Sequence, residues 1–89
     1  MTEIDHKVPG GKLLRLEVEL DKEIIGSIKL SGDFFVHPET AIAKIEGLLE
    51  GKRIDEVEDV LNNFIRKNNI ELIGFDASDL AKALERVAK

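Results

Sequence analysis

The chain has 89 residues, of which 43% are hydrophobic and 35% charged, and carries a formal net charge of -5. That length makes a single domain, residues 1–89, with a core of limited size, and the hydrophobic share excludes a disordered chain. The acidic balance and the absence of Trp and Tyr argue against non-specific nucleic-acid binding; the absence of Cys excludes disulfides, thiol nucleophiles and thiolate metal sites; and no apolar run approaches the ~20 residues that span a bilayer.

The opening Met1-Thr2-Glu3-Ile4-Asp5-His6 lacks the basic and then apolar regions of a signal peptide, so a cytoplasmic location is expected. Residues 4–8 read as a short strand, and Pro9-Gly10-Gly11 as a tight turn. From Leu14 the alternation is regular: Leu14, Leu16, Val18 and Leu20 are apolar, and Arg15, Glu17 and Glu19 lie between them, the pattern of a half-buried strand. Asp21-Lys22-Glu23 is the turn of an antiparallel hairpin. In the returning strand, about 24–31, Ile24, Gly26, Ile28 and Leu30 are expected on the core side and Ser27, Lys29 and Ser31 on the other.

The segment Gly32-Asp33-Phe34-Phe35-Val36-His37-Pro38-Glu39 stands where the strand pattern stops and a helix pattern starts. It holds two of the four phenylalanines. Neighbouring strand residues point to opposite faces, so Phe34 and Phe35 cannot both enter a one-sided core. Two readings stay open: the outer ring covers a sheet edge, or it faces a partner, as aromatic residues do in interface cores.

Pro38 suits the first position of a helix and Glu39 its first turn. Ile42, Ile45, Leu48 and Leu49 give that helix its apolar stripe, and Gly51 stops it. A second helix is expected from Asp55, with a capping-box spacing to Glu58 and a stripe of Val57, Val60, Leu61, Phe64 and Ile65, ending at Asn68-Asn69. Residues 70–75 form a short strand or connector. The third helix, 77–87, is capped by Asp76, with Phe75 and Leu80 at the positions of a hydrophobic staple and Leu80, Leu84 and Val87 as its stripe. Strands followed by helices imply an α+β domain: a small antiparallel sheet of two to four strands with about three helices on one face.

No residue set supplies catalysis. Pro9-Gly10-Gly11-Lys12 is no phosphate loop, because Lys12 leads into a strand rather than a helix; the lysine is solvated on a turn, or reaches an anionic ligand held by another subunit. His6 and His37, without Cys and without a His-x-x-x-His spacing, make no metal site, and His37 reads as a cap or surface residue. Asp33 caps a turn through its side chain. Glu46, Glu50, Glu58 and Asp59 fall at solvent positions on helices. On residues alone, this is a small acidic interaction domain.

Lys7-Val8-Pro9-Gly10-Gly11-Lys12-Leu13, followed by Gly32-Asp33-Phe34-Phe35 and His37-Pro38-Glu39, resembles the accessory domain of lipoate–protein ligase. The spacing of Ile45-Glu46, Leu49-Glu50-Gly51 and Gly74 is also similar, so the likeness covers nearly the whole chain. The resemblance implies a non-catalytic, free-standing accessory subunit of a split ligase, required for the ATP-dependent activation of lipoate to lipoyl-AMP. The partner it implies is a separate catalytic subunit, in a heterodimer that would hold lipoate, ATP and Mg2+ and would serve lipoyl-acceptor domains. No cofactor is expected on this chain alone. Lys7, Gly10, Gly11 and Lys12 are then expected near the partner or its nucleotide. Gly32, Asp33, Phe34, Phe35, His37 and Pro38, with Val36 in the same patch, are expected at the interface. A domain without catalytic groups accelerates a reaction by ordering a partner's loops and excluding water. Two other classes compete: a regulatory module binding a small metabolite between sheet and helices, and an interaction scaffold unrelated to lipoylation, for example in iron–sulfur assembly.

Overall fold

The computed structural model describes residues 2–10 and 12–88. Strand β1 (Thr2–Lys7), β2 (Leu13–Asp21) and β3 (Ile24–Gly32) form an antiparallel sheet in the order β1-β2-β3. Strand β4 (Phe35–His37) leads to helix α1 (Ala41–Leu49), a 3-10 turn (Ile54–Glu56) and helix α2 (Val57–Asn68). Strand β5 (Glu71–Ile73) returns to pair with β4 as a separate two-stranded ribbon, and helix α3 (Ala77–Ala88) closes the chain. The build is α+β, as the order of the patterns implies.

The alternation in β2 sets the layers. Leu14, Leu16 and Val18 are fully buried and stand opposite Gly32, Leu30 and Ile28 of β3. Helix α1 packs on β3, α3 on β1 and β2, and α2 on α3. The helices contribute Ala41, Ile45, Leu49, Val57, Leu61, Leu80, Ala83 and Leu84 to the core. The outer face of the sheet carries Arg15 and Asp5, opposite each other in register and joined by bonds of 2.7 and 3.3 Å. That bond holds the Asp5 carboxyl below the usual aspartate range.

Three expected details differ. In β3 the core side chains are Ile25, Ile28 and Leu30, whereas Ile24 is exposed. Glu19 pairs with Ser27 and Leu20 with Ile25, so Gly26 is an extra residue in a bulge, and the inward parity reverses across it. Ile25 is held on that side by backbone bonds to Lys52 and Gly51, of 2.9 and 2.7 Å. The first helix begins at Ala41 rather than Pro38. The segment before it is used as strand β4, and residues 38–40 make the turn: the His37-Pro38 peptide is cis, and the Pro38 carbonyl accepts the Ala41 N–H at 2.9 Å. The second helix is entered through the 3-10 turn, and its box lies two residues earlier than expected. The Arg53 N–H donates to Glu56 Oε1 at 3.0 Å, while Asp55 accepts from the Arg53 guanidinium at 3.2 Å.

The third helix starts as its pattern implies. The Asp79 N–H donates to Asp76 Oδ1 and the Asp76 N–H to Asp79 Oδ2, both at 2.9 Å, a reciprocal box built from two aspartates. Phe75 and Leu80, flanking that box, are both buried. Glu46 is not simply solvated: its Oε2 accepts the Leu30 N–H at 2.8 Å, covering part of the outer edge of β3. No helix among the described residues is long and apolar enough to cross a membrane.

Candidate functional site

The two sequence segments singled out above meet in space. Lys7 pairs with Leu13 at the end of β1, the Val8 N–H donates to the Lys12 carbonyl at 2.8 Å, and the Asp33 N–H donates to the Leu13 carbonyl at 2.8 Å. The β1–β2 turn is thereby tied to the turn that leaves β3. Gly32 makes that approach possible: its φ is +134°, and a Cβ there would lie 2.1 Å from the Leu13 oxygen, a distance no side chain tolerates. Gly74, at φ +103°, supports the same turn from below, with Asp33 O and Phe34 Cβ each 3.2 Å from where its Cβ would stand.

Held between these glycines, the two rings separate. Phe34 is half-buried and packs edge-on against Phe75, with centroids 4.7 Å apart and planes at 65°. Phe35 points the other way and is 71% exposed. Val36 is buried and His37 exposed, so the alternation runs through the whole segment. Across the ribbon, Phe35 pairs with Ile73, Val36 with Leu72 and His37 with Glu71. Paired residues share a face, and Ile73 is 48% exposed. Phe35 and Ile73 are thus one apolar ridge on the outside of the molecule.

Two open grooves meet at the Phe34-Phe35 pair, which lines both. One, of about 380 Å³, is lined by Lys12, Gly32, Asp33, Phe34 and Phe35. The other, of about 510 Å³, runs along Phe35, His37, Glu39, Ile42, Glu71 and Ile73. Lys7 and Gly10 line neither groove, Pro38 is exposed beside the second, and Gly11 lies outside the described residues. Of the expected apolar patch, Phe35 is the exposed residue, whereas Val36 is buried and Phe34 is half-buried against Phe75. Sequence reasoning missed Ile73 and Glu71. The signal was present in Ile73: Ile70 and Leu72 share one parity, and Ile73 is apolar on the other, beside the solvent-facing Glu71. Among the described residues, no group of three His, Asp or Glu is placed to hold a metal ion.

Residues 1–86 match the family described as bacterial lipoate protein ligase C-terminus. The chain is 35% identical over 72 residues to lipoate-protein ligase A subunit 2 of Thermoplasma acidophilum, covering 81% of this chain and 76% of that protein. Its structure is similar, with a TM-score of 0.79 and 31% identity, to a chain in the structure of an archaeal lipoylation system, a bipartite lipoate protein ligase and its E2 lipoyl domain from the same organism. That match covers 94% of this chain and 93% of the other. The fold, the joined Gly-rich turns and these similarities agree: the chain belongs to the lipoate protein ligase C-terminal domain family.

Proposed function

We propose that the chain acts as the accessory subunit of a split lipoate–protein ligase. In this reading residues 1–89 work as one domain that docks on a separate catalytic subunit in the cytoplasm. The heterodimer carries out the ATP-dependent activation of lipoate to lipoyl-AMP before transfer to a lipoyl-acceptor domain. Lipoate, ATP and Mg2+ belong to the catalytic subunit. The observation that carries the reading is Phe35, a large ring 71% exposed on a ribbon fixed by backbone pairing, in a member of this family. The relatives it matches, a ligase subunit 2 and a chain of a bipartite ligase, support the split arrangement. Lys12, bordering the first groove beside the ridge, supplies positive charge toward a phosphate group in the partner's nucleotide site.

The docking ring is tested by calorimetric titration with the catalytic subunit. Phe35→Ala should leave the thermal unfolding of the isolated chain unchanged, because the ring is exposed. It should weaken binding by about 2 kcal/mol, as buried aromatic anchors of interfaces do, or roughly thirtyfold. A folded variant that binds as the parent does would remove the docking role. Lys12→Ala should bind normally and slow pyrophosphate release; unaltered release would remove the role of that lysine.

A further inference from the structure

The second groove has a chemical character beyond its ridge. Phe35 and Ile73 form one wall, and Ile42 of α1 lies on the same surface. Glu39, from the turn before α1, and Glu71, from β5, border it, as does His37, the cross-strand partner of Glu71, and no lysine or arginine lines it. The ion pairs of the described residues lie elsewhere, at Asp5–Arg15 and around Arg53, so these two carboxylates have no cationic partner among the described residues. Both are exposed. An apolar wall flanked by unpaired acids selects a complementary occupant. A second copy of this chain is a poor one, since its net charge is also -5 and like charges brought together oppose association.

Resting on the docking reading above, we propose that this groove receives a segment of the catalytic subunit in which a large apolar side chain is flanked by lysine or arginine. The apolar side chain seats against Phe35, Ile73 and Ile42, and the flanking cations meet Glu39 and Glu71. The apolar contact supplies most of the affinity, and the charges supply orientation and encounter rate.

The test titrates this chain against the catalytic subunit from the same organism at low and high salt. Parent binding should weaken as salt rises, because the attraction is screened. The double variant Glu39→Lys, Glu71→Lys should bind about tenfold more weakly or worse at low salt and lose that salt dependence. The double variant Glu39→Gln, Glu71→Gln, which adds no charge, should fall between. A benzoylphenylalanine photo-crosslinker placed at position 73 should capture a partner peptide with a basic residue beside an apolar one. Unchanged affinity and salt slope in both double variants, or a captured peptide without basic residues, would overturn the inference. If Phe35→Ala still weakens binding in that case, docking stands and only the occupant is wrong. If Phe35→Ala also binds normally, the docking reading itself fails.

Discussion

At the scale of single residues, the site is made by two glycines and a division of labour between two rings. Gly32 lies at the point where two turns are tied by the Asp33–Leu13 bond. Its backbone conformation disfavours any side chain, and its Cβ position is occupied by the Leu13 oxygen. Gly32→Ala should therefore destabilise by more than about 1 kcal/mol, combining strain with a displaced turn. Urea unfolding measures the loss, and a midpoint equal to the parent's would show that the turn relaxes without resistance. The separation of Phe34 from Phe35 follows from strand geometry and is readable in the sequence. Which ring faces inward is not, because it depends on Phe75, a residue 41 positions away that supplies the edge-on contact.

At the scale of elements, local patterns succeed where one element decides its own form. Strand β2 alternates without interruption, and α3 carries its cap in its own first turn. The Asp76 carboxylate lies below the ordinary aspartate range. The Asp79 backbone amide, which donates to it, is the main cause, partial burial opposes it, and the Ser78 hydroxyl and backbone amide add to it. A depressed folded-state value means that the stabilisation is complete above about pH 4, the unfolded value. It is lost as pH falls through the folded-state value. Asp76→Asn keeps an acceptor without that ionisation. The gap in melting temperature between parent and variant should thus narrow as pH is lowered from about 5 toward 2; a constant gap would mean that the cap does not titrate. Asp76→Ala should cost about 1 kcal/mol at neutral pH.

The elements that were not legible are fixed from elsewhere in the chain. The bulge at Gly26 is settled by bonds from Ile25 to the loop after α1. The late start of α1 follows from pairing of β4 with β5, and no local signal in Pro38-Glu39 reports it. Glu46 looks like a solvent residue of α1 until the edge of β3 is laid against it. Glu46→Ala should leave the Leu30 amide short of its partner at a part-buried position and cost about 1–3 kcal/mol. Glu46→Gln, which retains an acceptor, should cost less, and equal losses in denaturant unfolding would show that packing, not the bond, is what Glu46 provides.

At the scale of the whole molecule, an 89-residue chain buries a modest share of its surface, and binding to a partner adds to its stability by mass action. With the catalytic subunit present at about a hundred times the dissociation constant, the gain is about 2.7 kcal/mol, or roughly 10–20 °C in melting temperature for a domain of this size. Calorimetry of the complex tests it, and an accessory chain that melts at the same temperature with and without the partner would contradict binding of the folded state. The core is complete without the ridge: Phe34, Val36 and Leu72 face inward, and Phe35 and Ile73 add exposed surface. Two adjacent codons therefore answer to different selection. A survey of variants scored only by survival of the fold would accept polar residues at position 35 and reject them at position 34, and a change at 35 would pass unnoticed in every assay of the chain alone. Loss of assembly can accumulate there silently, while the neighbouring position records each change as a loss of folded protein.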